Sequence, residues 1–370
     1  MNGNKRQGPA LPRSQPVLIT GGAGFIGCNL ADRLATEGHD VLILDSLSRP
    51  GVERNLAWLK RRHTRRVAAI IADIRDTAAI AQASKDAQAV FHFAAQVAVT
   101  TSLVDPYEDF ETNAGGTLLL LEALRSRRTP APLVFASTNK VYGNLADLEL
   151  VCANEMYLPA DPTLRAHGID ERRPLSFHTP YGCSKGAAEQ YVLDYAHSFG
   201  VPTAVLRMSC IYGEHQLGTE DQGWVAHFLR AARAGQPIAI YGDGCQVRDV
   251  LHVSDALAAY IAAWRRIQDV AGCAFNLGGG PDNAVSLRQV LAHVETMVGR
   301  HIDLRFEGWR PGDQRYFVAD TRAAMARLGL AGPRPWRRGI ADLAAWLEHE
   351  EEPGPVMPAS PVELPQAQAV

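Results

Sequence analysis

At 370 residues the chain has room for one large domain or two moderate ones, each with its own core. Hydrophobic residues make up 46%, charged residues 21% and the formal net charge is -3, which leaves no basic footprint for nucleic acid and no polybasic patch for a membrane. Six scattered cysteines (Cys28, Cys152, Cys183, Cys210, Cys245, Cys273) lack the spacing of a metal site, and no signal-peptide core or long apolar run is present, so the sequence predicts a cytoplasmic protein with free thiols and no metal.

In chain order, residues 1–15 are polar and proline-containing and are expected to be a disordered tail. From residue 16 short apolar runs, at 17–19, 41–44, 67–71, 89–93, 133–136 and 203–207, alternate with helical periodicity, as at 25–37 and 109–125. The basic run 60–66 lies beside a helix end and reads as a solvated surface. Strand after helix after strand predicts a doubly wound parallel α/β sheet of Rossmann type over residues 16–207, with segments near 246–278 returning to it. Residues 208–345 read as a smaller mixed α/β substrate-binding part, and 350–370 as a second disordered tail.

The first strand runs into ThrGlyGlyAlaGlyPheIleGly, residues 20–27. Gly21, Gly24 and Gly27, with Phe25 and Ile26 opening the helix, let the backbone approach a pyrophosphate at a helix N-terminus. Asp45 ends the second strand, eighteen residues beyond Gly27, where a carboxylate accepts from a ribose 2′-hydroxyl and repels a 2′-phosphate. NAD is therefore expected rather than NADP. Asp73 and Ile74 follow the third strand, where they would bracket an adenine or simply form a turn. Ala94, Ala95 and Gln96 follow the fourth, at the strand ends where cofactors lie.

Residues 135–143 read FASTNKVYG, a strand end with a hydroxyl, an amide and an ammonium but no acid. Further on, Thr179 is expected to cap a helix and Pro180 to start it, so Tyr181 and Lys185 share one face at i and i+4. An ammonium beside a phenol favours the phenolate, and so does a cationic nicotinamide; such a tyrosine is a usable base toward an alcohol.

TGGAGFIG, Asp45, the segment from Asn113 to Thr117, STNKVYG and YGCSK together resemble an extended short-chain dehydrogenase/reductase of the nucleotide-sugar epimerase/dehydratase group, over about residues 16–345. The resemblance implies bound NAD, a nucleoside diphosphate sugar as substrate, and a triad of Thr138, Tyr181 and Lys185. Tyr181 and Lys185 then also touch the cofactor, Asn113 matches the family asparagine of the dimer-side helix, and helices near 105–127 and 181–198 imply a homodimer. Dehydratases of the group place Asp-Glu after the threonine. Here Asn139 and Lys140 stand there, and an amide cannot protonate a leaving hydroxyl, so epimerisation is expected.

Residues 96–102, 137–143, 176–196, 221–225, 246–252 and 313–320 more finely resemble the 2-epimerases of CDP-paratose and CDP-tyvelose, which pass through a transient 2-keto sugar. Under that resemblance Gln222 and Trp224 line the nucleotide pocket. Arg248 and Arg315 are diphosphate candidates, their forks matching phosphate oxygens, or else surface ion-pair partners. Asn139 and His178 either touch the sugar or serve their own loops, and Lys140 is expected to point to solvent. Segments 145–172 and 308–314 depart from the family pattern and bear on which sugar is accepted. A 4-epimerase using the same triad is the alternative enzyme; a non-catalytic NAD-binding sensor is the alternative class, although such proteins commonly lose the tyrosine or the lysine.

Overall fold

The computed structural model describes residues 15–219, 222–310 and 312–350; the two stretches read as disordered tails fall outside these apart from Gln15 and Glu350. The first half alternates as the sequence predicts: β1 (Val17–Thr20), α1 (Phe25–Thr36), β2 (Val41–Asp45), α2 (Val52–Arg62), β3 (Val67–Ile71), α3 (Thr77–Ser84), β4 (Ala89–His92), α4 (Val99–Val104), α5 (Pro106–Phe110), α6 (Gly116–Arg125) and β5 (Leu133–Thr138). A hairpin of β6 (Leu150–Ala153) and β7 (Met156–Pro159) and a short α7 (Pro162–His167) organise the loosely patterned segment that follows. Next come α8 (Thr179–Phe199), β8 (Thr203–Met208), β9 (Cys210–Tyr212), α9 (Trp224–Ala234), β10 (Ile238–Tyr241), β11 (Val247–His252), α10 (Val253–Arg265), α11 (Ile267–Val270) and β12 (Cys273–Leu277). The chain finishes with β13 (Ala284–Ser286), α12 (Leu287–Val298), β14 (Leu304–Glu307), β15 (Tyr316–Phe317), α13 (Arg322–Leu328) and α14 (Trp336–Glu350).

Seven parallel strands form the main sheet in the order β12-β8-β5-β4-β1-β2-β3. Alternation along each strand feeds two cores. Val17, Ile19, Val41 and Ile43 pack on one face with α1 and α10, whereas Leu18, Leu42 and Leu44 pack on the other with α3, α6 and α8. The strand order reverses between β1 and β4, which opens a crevice at their carboxyl ends. All the motifs singled out in the first half of the sequence lie along that edge.

The remaining strands build a smaller lobe beside the crevice: β10 pairs with β14, and β11 lies between β13 and β15 with β9 alongside. Its core joins Tyr212, Phe228 and Ile240 to Val290, Ile340 and Leu343. One helix differs from the sequence reading. The stretch read as continuous helix over 109–125 holds a π-helical turn at Glu111–Gly115 between α5 and α6. The buried Asn113 side chain turns inward there, and the Thr117 hydroxyl donates to the Asn113 carbonyl at 2.5 Å, displacing the regular helical ladder. No helix among the described residues is long and apolar enough to cross a membrane. Among the same residues, no group of three or more His, Cys, Asp or Glu is placed to hold a metal ion.

Candidate active site

At the cofactor side the glycines pack as a phosphate loop requires. A Cβ on Gly21 would meet the Ala94 nitrogen at 2.7 Å, and one on Gly27 would strike the Gly21 carbonyl oxygen. Gly24 is different: a Cβ there meets only the Gly21 oxygen, at 3.2 Å, so its other side is open to a pyrophosphate in front of α1. Phe25 and Ile26 begin α1 and pack against the core. Asp45 is held by two backbone donors, Ala23 N–H on Oδ2 and Leu47 N–H on Oδ1, each at 2.9 Å. Each oxygen keeps acceptor capacity for a ribose hydroxyl. These residues fit a dinucleotide.

Asp73 and Ile74 sit less freely than the bracketing idea supposed. Arg75 grips the Asp73 carboxylate at 2.8 Å, and Ile74 is buried against Gly116 of α6. Ala94, Ala95 and Gln96 follow β4 at the crevice, where Gln96 is tied to its neighbours: its N–H donates to Asn113 Oδ1 at 2.9 Å and its amide to Asp109 at 3.0 Å.

Thr138 and Tyr181 come together, and Lys185 lies one turn further along the same helix. Thr138 ends β5; Tyr181 and Lys185 lie on α8. Burial pushes Tyr181 up to about 12, opposed by its hydrogen bond with Thr138 and reinforced by Asp109. Burial draws Lys185 down to about 7 against the pull of Glu189 and Asp109, and its Nζ stands 4.1 Å from the Phe135 ring centroid. The lowering expected from this lysine is not among the influences on Tyr181, which burial dominates.

Asn113 reaches the same cluster: its amide donates to Ser184 Oγ at 3.0 Å, to the Gln96 carbonyl at 3.0 Å and to Asp109 at 3.2 Å. Ser184 in turn donates to Asp109. Asp109 and Ser184 escaped the sequence reading, because nothing local marks two polar residues 75 positions apart as partners. At the start of α8, Thr179 is left-handed, with φ of 63°, and its hydroxyl accepts from Gly182 N–H at 3.4 Å. The helix thus starts one residue earlier than expected, with His178 at the cap position and Thr179 in a backbone region that a β-branched residue rarely enters.

The substrate side departs most from expectation. Lys140 turns inward instead of toward solvent: its Nζ is 3.2 Å from the Gly312 carbonyl and 3.6 Å from Asp313 Oδ1. Arg248, 7% exposed, donates to the same Asp313 oxygen at 2.7 Å. Burial pushes Asp313 up, but Arg248 and Lys140 outweigh it and hold the carboxyl below its usual range. Burial lowers Lys140, with Asp313 opposing.

Asn139 is buried, and its amide donates to Gln314 Oε1 at 3.2 Å. Gln222 donates to the Val97 carbonyl, and Trp224 Nε1 points at Cys210 Sγ, 3.4 Å away. His178 is an exposed loop residue beside Ser176, at 3.3 Å. Arg315 lies over the Tyr157 and Trp309 rings.

A dinucleotide cradle at the switch point of a parallel sheet, with a hydroxyl, a phenol and an ammonium at its rim, is the equipment of a sugar-oxidising enzyme. The chain belongs to the NAD dependent epimerase/dehydratase family, whose model matches residues 17–278, and its cofactor is NAD. Among its relatives is the CDP-paratose 2-epimerase of Salmonella typhi, 43% identical over 341 residues that cover 89% of this chain and 98% of that protein. A putative UDP-glucose 4-epimerase of Methanocaldococcus jannaschii is 30% identical and covers 90% of this chain and 98% of its own length. Among solved structures, the UDP-glucose 4-epimerase of Thermus thermophilus in complex with NAD superposes with a TM-score of 0.76 at 30% identity, covering 90% of this chain and 99% of that one.

Proposed function

We propose that the protein is an NAD-dependent nucleotide-sugar epimerase that inverts carbon 2 of a CDP-hexose of the paratose or tyvelose type. The observation that carries this reading is the end of β5, where Thr138 contacts Tyr181 and the next two residues are Asn139 and Lys140. A dehydration needs an acid to protonate the departing hydroxyl, and this strand end offers none. What it offers is reversible removal of one proton.

In this reading Thr138 holds the sugar oxygen, and Tyr181 takes its proton and later gives it back. Lys185 supplies positive charge beside them and a donor to the nicotinamide ribose. NAD, when bound, accepts the hydride of the same carbon and returns it to the opposite face, and its cationic ring adds the positive charge that buried Tyr181 lacks. The 2-keto sugar formed in between turns over within the site, so no net redox change occurs. The Salmonella relative supports carbon 2 and cytidine.

The test is a panel of CDP-, UDP- and GDP-sugars given to the purified protein without added NAD and followed by NMR. Inversion at carbon 2 of a CDP-sugar is expected. Tyr181→Phe should retain NAD and lose roughly a hundredfold to ten-thousandfold of the turnover, the usual share of a general base. An active Tyr181→Phe enzyme would overturn the scheme. The 4-epimerase relatives favour a second reading with the same triad, for which carbon 4 inverts in the same spectra.

A further inference from the structure

We infer that Lys140 receives the β-phosphate of the substrate and thereby sets which sugar carbon meets Thr138 and Tyr181. The inference rests on the carbon-2 reading above and adds to it a residue that the catalytic scheme leaves idle.

The first support is a charge count. Lys140 Nζ and Arg248 Nη2 converge on one oxygen, Asp313 Oδ1, at 3.6 and 2.7 Å. Among the described residues no other carboxylate pairs with either cation. Two positive charges therefore share one negative charge where the side chains of Lys140 and Arg248 are only 21% and 8% exposed. Partly desolvated surplus charge is costly until an anion arrives. Arg248 Nη1 is meanwhile held by the Val247 carbonyl at 2.8 Å, which leaves Lys140 the more adaptable of the pair.

Position is the second support. Lys140 N–H donates to Thr138 Oγ1 at 3.2 Å, so its side chain leaves the backbone two positions from the hydroxyl that holds the reacting oxygen. The surplus charge is thus carried by a side chain rooted beside the catalytic hydroxyl.

Bonding in the sugar completes the argument. Between carbon 2 and the β-phosphorus lie only the anomeric carbon and the glycosidic oxygen. For carbon 4, two further ring atoms intervene. When carbon 2 is the reacting centre, the β-phosphate is drawn in beside the catalytic hydroxyl, where an ammonium on the residue two positions from Thr138 meets it. With carbon 4 reacting, the phosphate sits a ring's width farther off and Lys140 loses its partner. A cation in this place therefore favours the carbon-2 pose by binding alone, with no bond made or broken by the lysine.

The test compares CDP with CMP, which lacks the β-phosphate, binding to purified NAD-containing wild type, Lys140→Met and Lys140→Arg by calorimetry. Lys140→Met should weaken CDP by about tenfold to a hundredfold, the range of a hydrogen bond to a charged group, while CMP stays within about twofold. Lys140→Arg should restore most of the CDP preference. If Lys140 only anchors the Gly312 loop, Lys140→Met weakens both nucleotides alike, and the inference falls. It falls too if wild type binds CDP no more tightly than CMP. Turnover of wild type on the sugar panel reports separately: an intact CDP contrast with inversion at carbon 4 overturns the regiochemical claim and the carbon-2 function, but leaves the phosphate contact standing.

Discussion

Lys185 sits in surroundings that oppose a charge: it is 4% exposed, lies against the Phe135 ring, and burial draws it down to about 7. A lysine whose folded value lies below its unfolded one is penalised whenever it is protonated. The penalty is therefore full below about pH 7 and fades as pH rises toward the ordinary lysine value of about 10.4. With the cofactor stripped, wild type should gain melting temperature relative to Lys185→Met as pH is raised through that window. A difference between the two that ignores pH would show that Lys185 is not held this way. The tyrosine and lysine were legible from sequence because helical spacing alone puts them on one face. Lys140 was not: its partner Gly312 lies 172 positions away, and no local pattern distinguishes a buried lysine from a solvated one.

At the scale of elements, α8 is fixed to the sheet by a buried ion pair. Arg207 of β8 contacts Glu189 of α8 at 2.6 Å, Glu189 also accepts from Ser137 of β5 at 2.5 Å, and Arg207 donates to Tyr142 at 2.8 Å. Both charged side chains are almost wholly buried, so removing one strands the other. Glu189→Ala should destabilise the fold by about 3–5 kcal/mol, read from the urea midpoint at unchanged slope. Adding Arg207→Met should recover much of that loss, and a double variant no better than the single one would show that the pair is not the cause. The alternation of strands and helices along the chain followed from short apolar runs, since each strand feeds two cores. The π turn at Asn113 did not, because it depends on the side chain meeting Gln96 and Ser184 across the crevice.

Across the whole molecule, large apolar side chains gather on the outward side of the helices that flank the site. Val104 is 85% and Tyr107 81% exposed, and Leu103, Phe110, Tyr191 and Phe199 are exposed as well. A patch of that kind on α4, α5 and α8 suits burial against a second copy, as the family resemblance implies. Sedimentation should show a dimer, and Tyr107→Glu with Phe110→Glu should yield monomers with unchanged circular dichroism. A monomeric wild type would remove the idea.

Gln314 has a consequence of another kind. Fully buried, it exchanges hydrogen bonds with Asn139 at 3.2 Å and 3.4 Å and donates to the Gly143 carbonyl at 2.6 Å, joining the smaller lobe to the end of β5. The tripeptide Thr138-Asn139-Lys140 and the segment 312–314 therefore work as matched halves. Grafting the tripeptide alone onto a 4-epimerase would leave an amide and an ammonium without their counterparts. Chimeras that carry both halves together are the ones in which carbon-2 chemistry should travel with the graft.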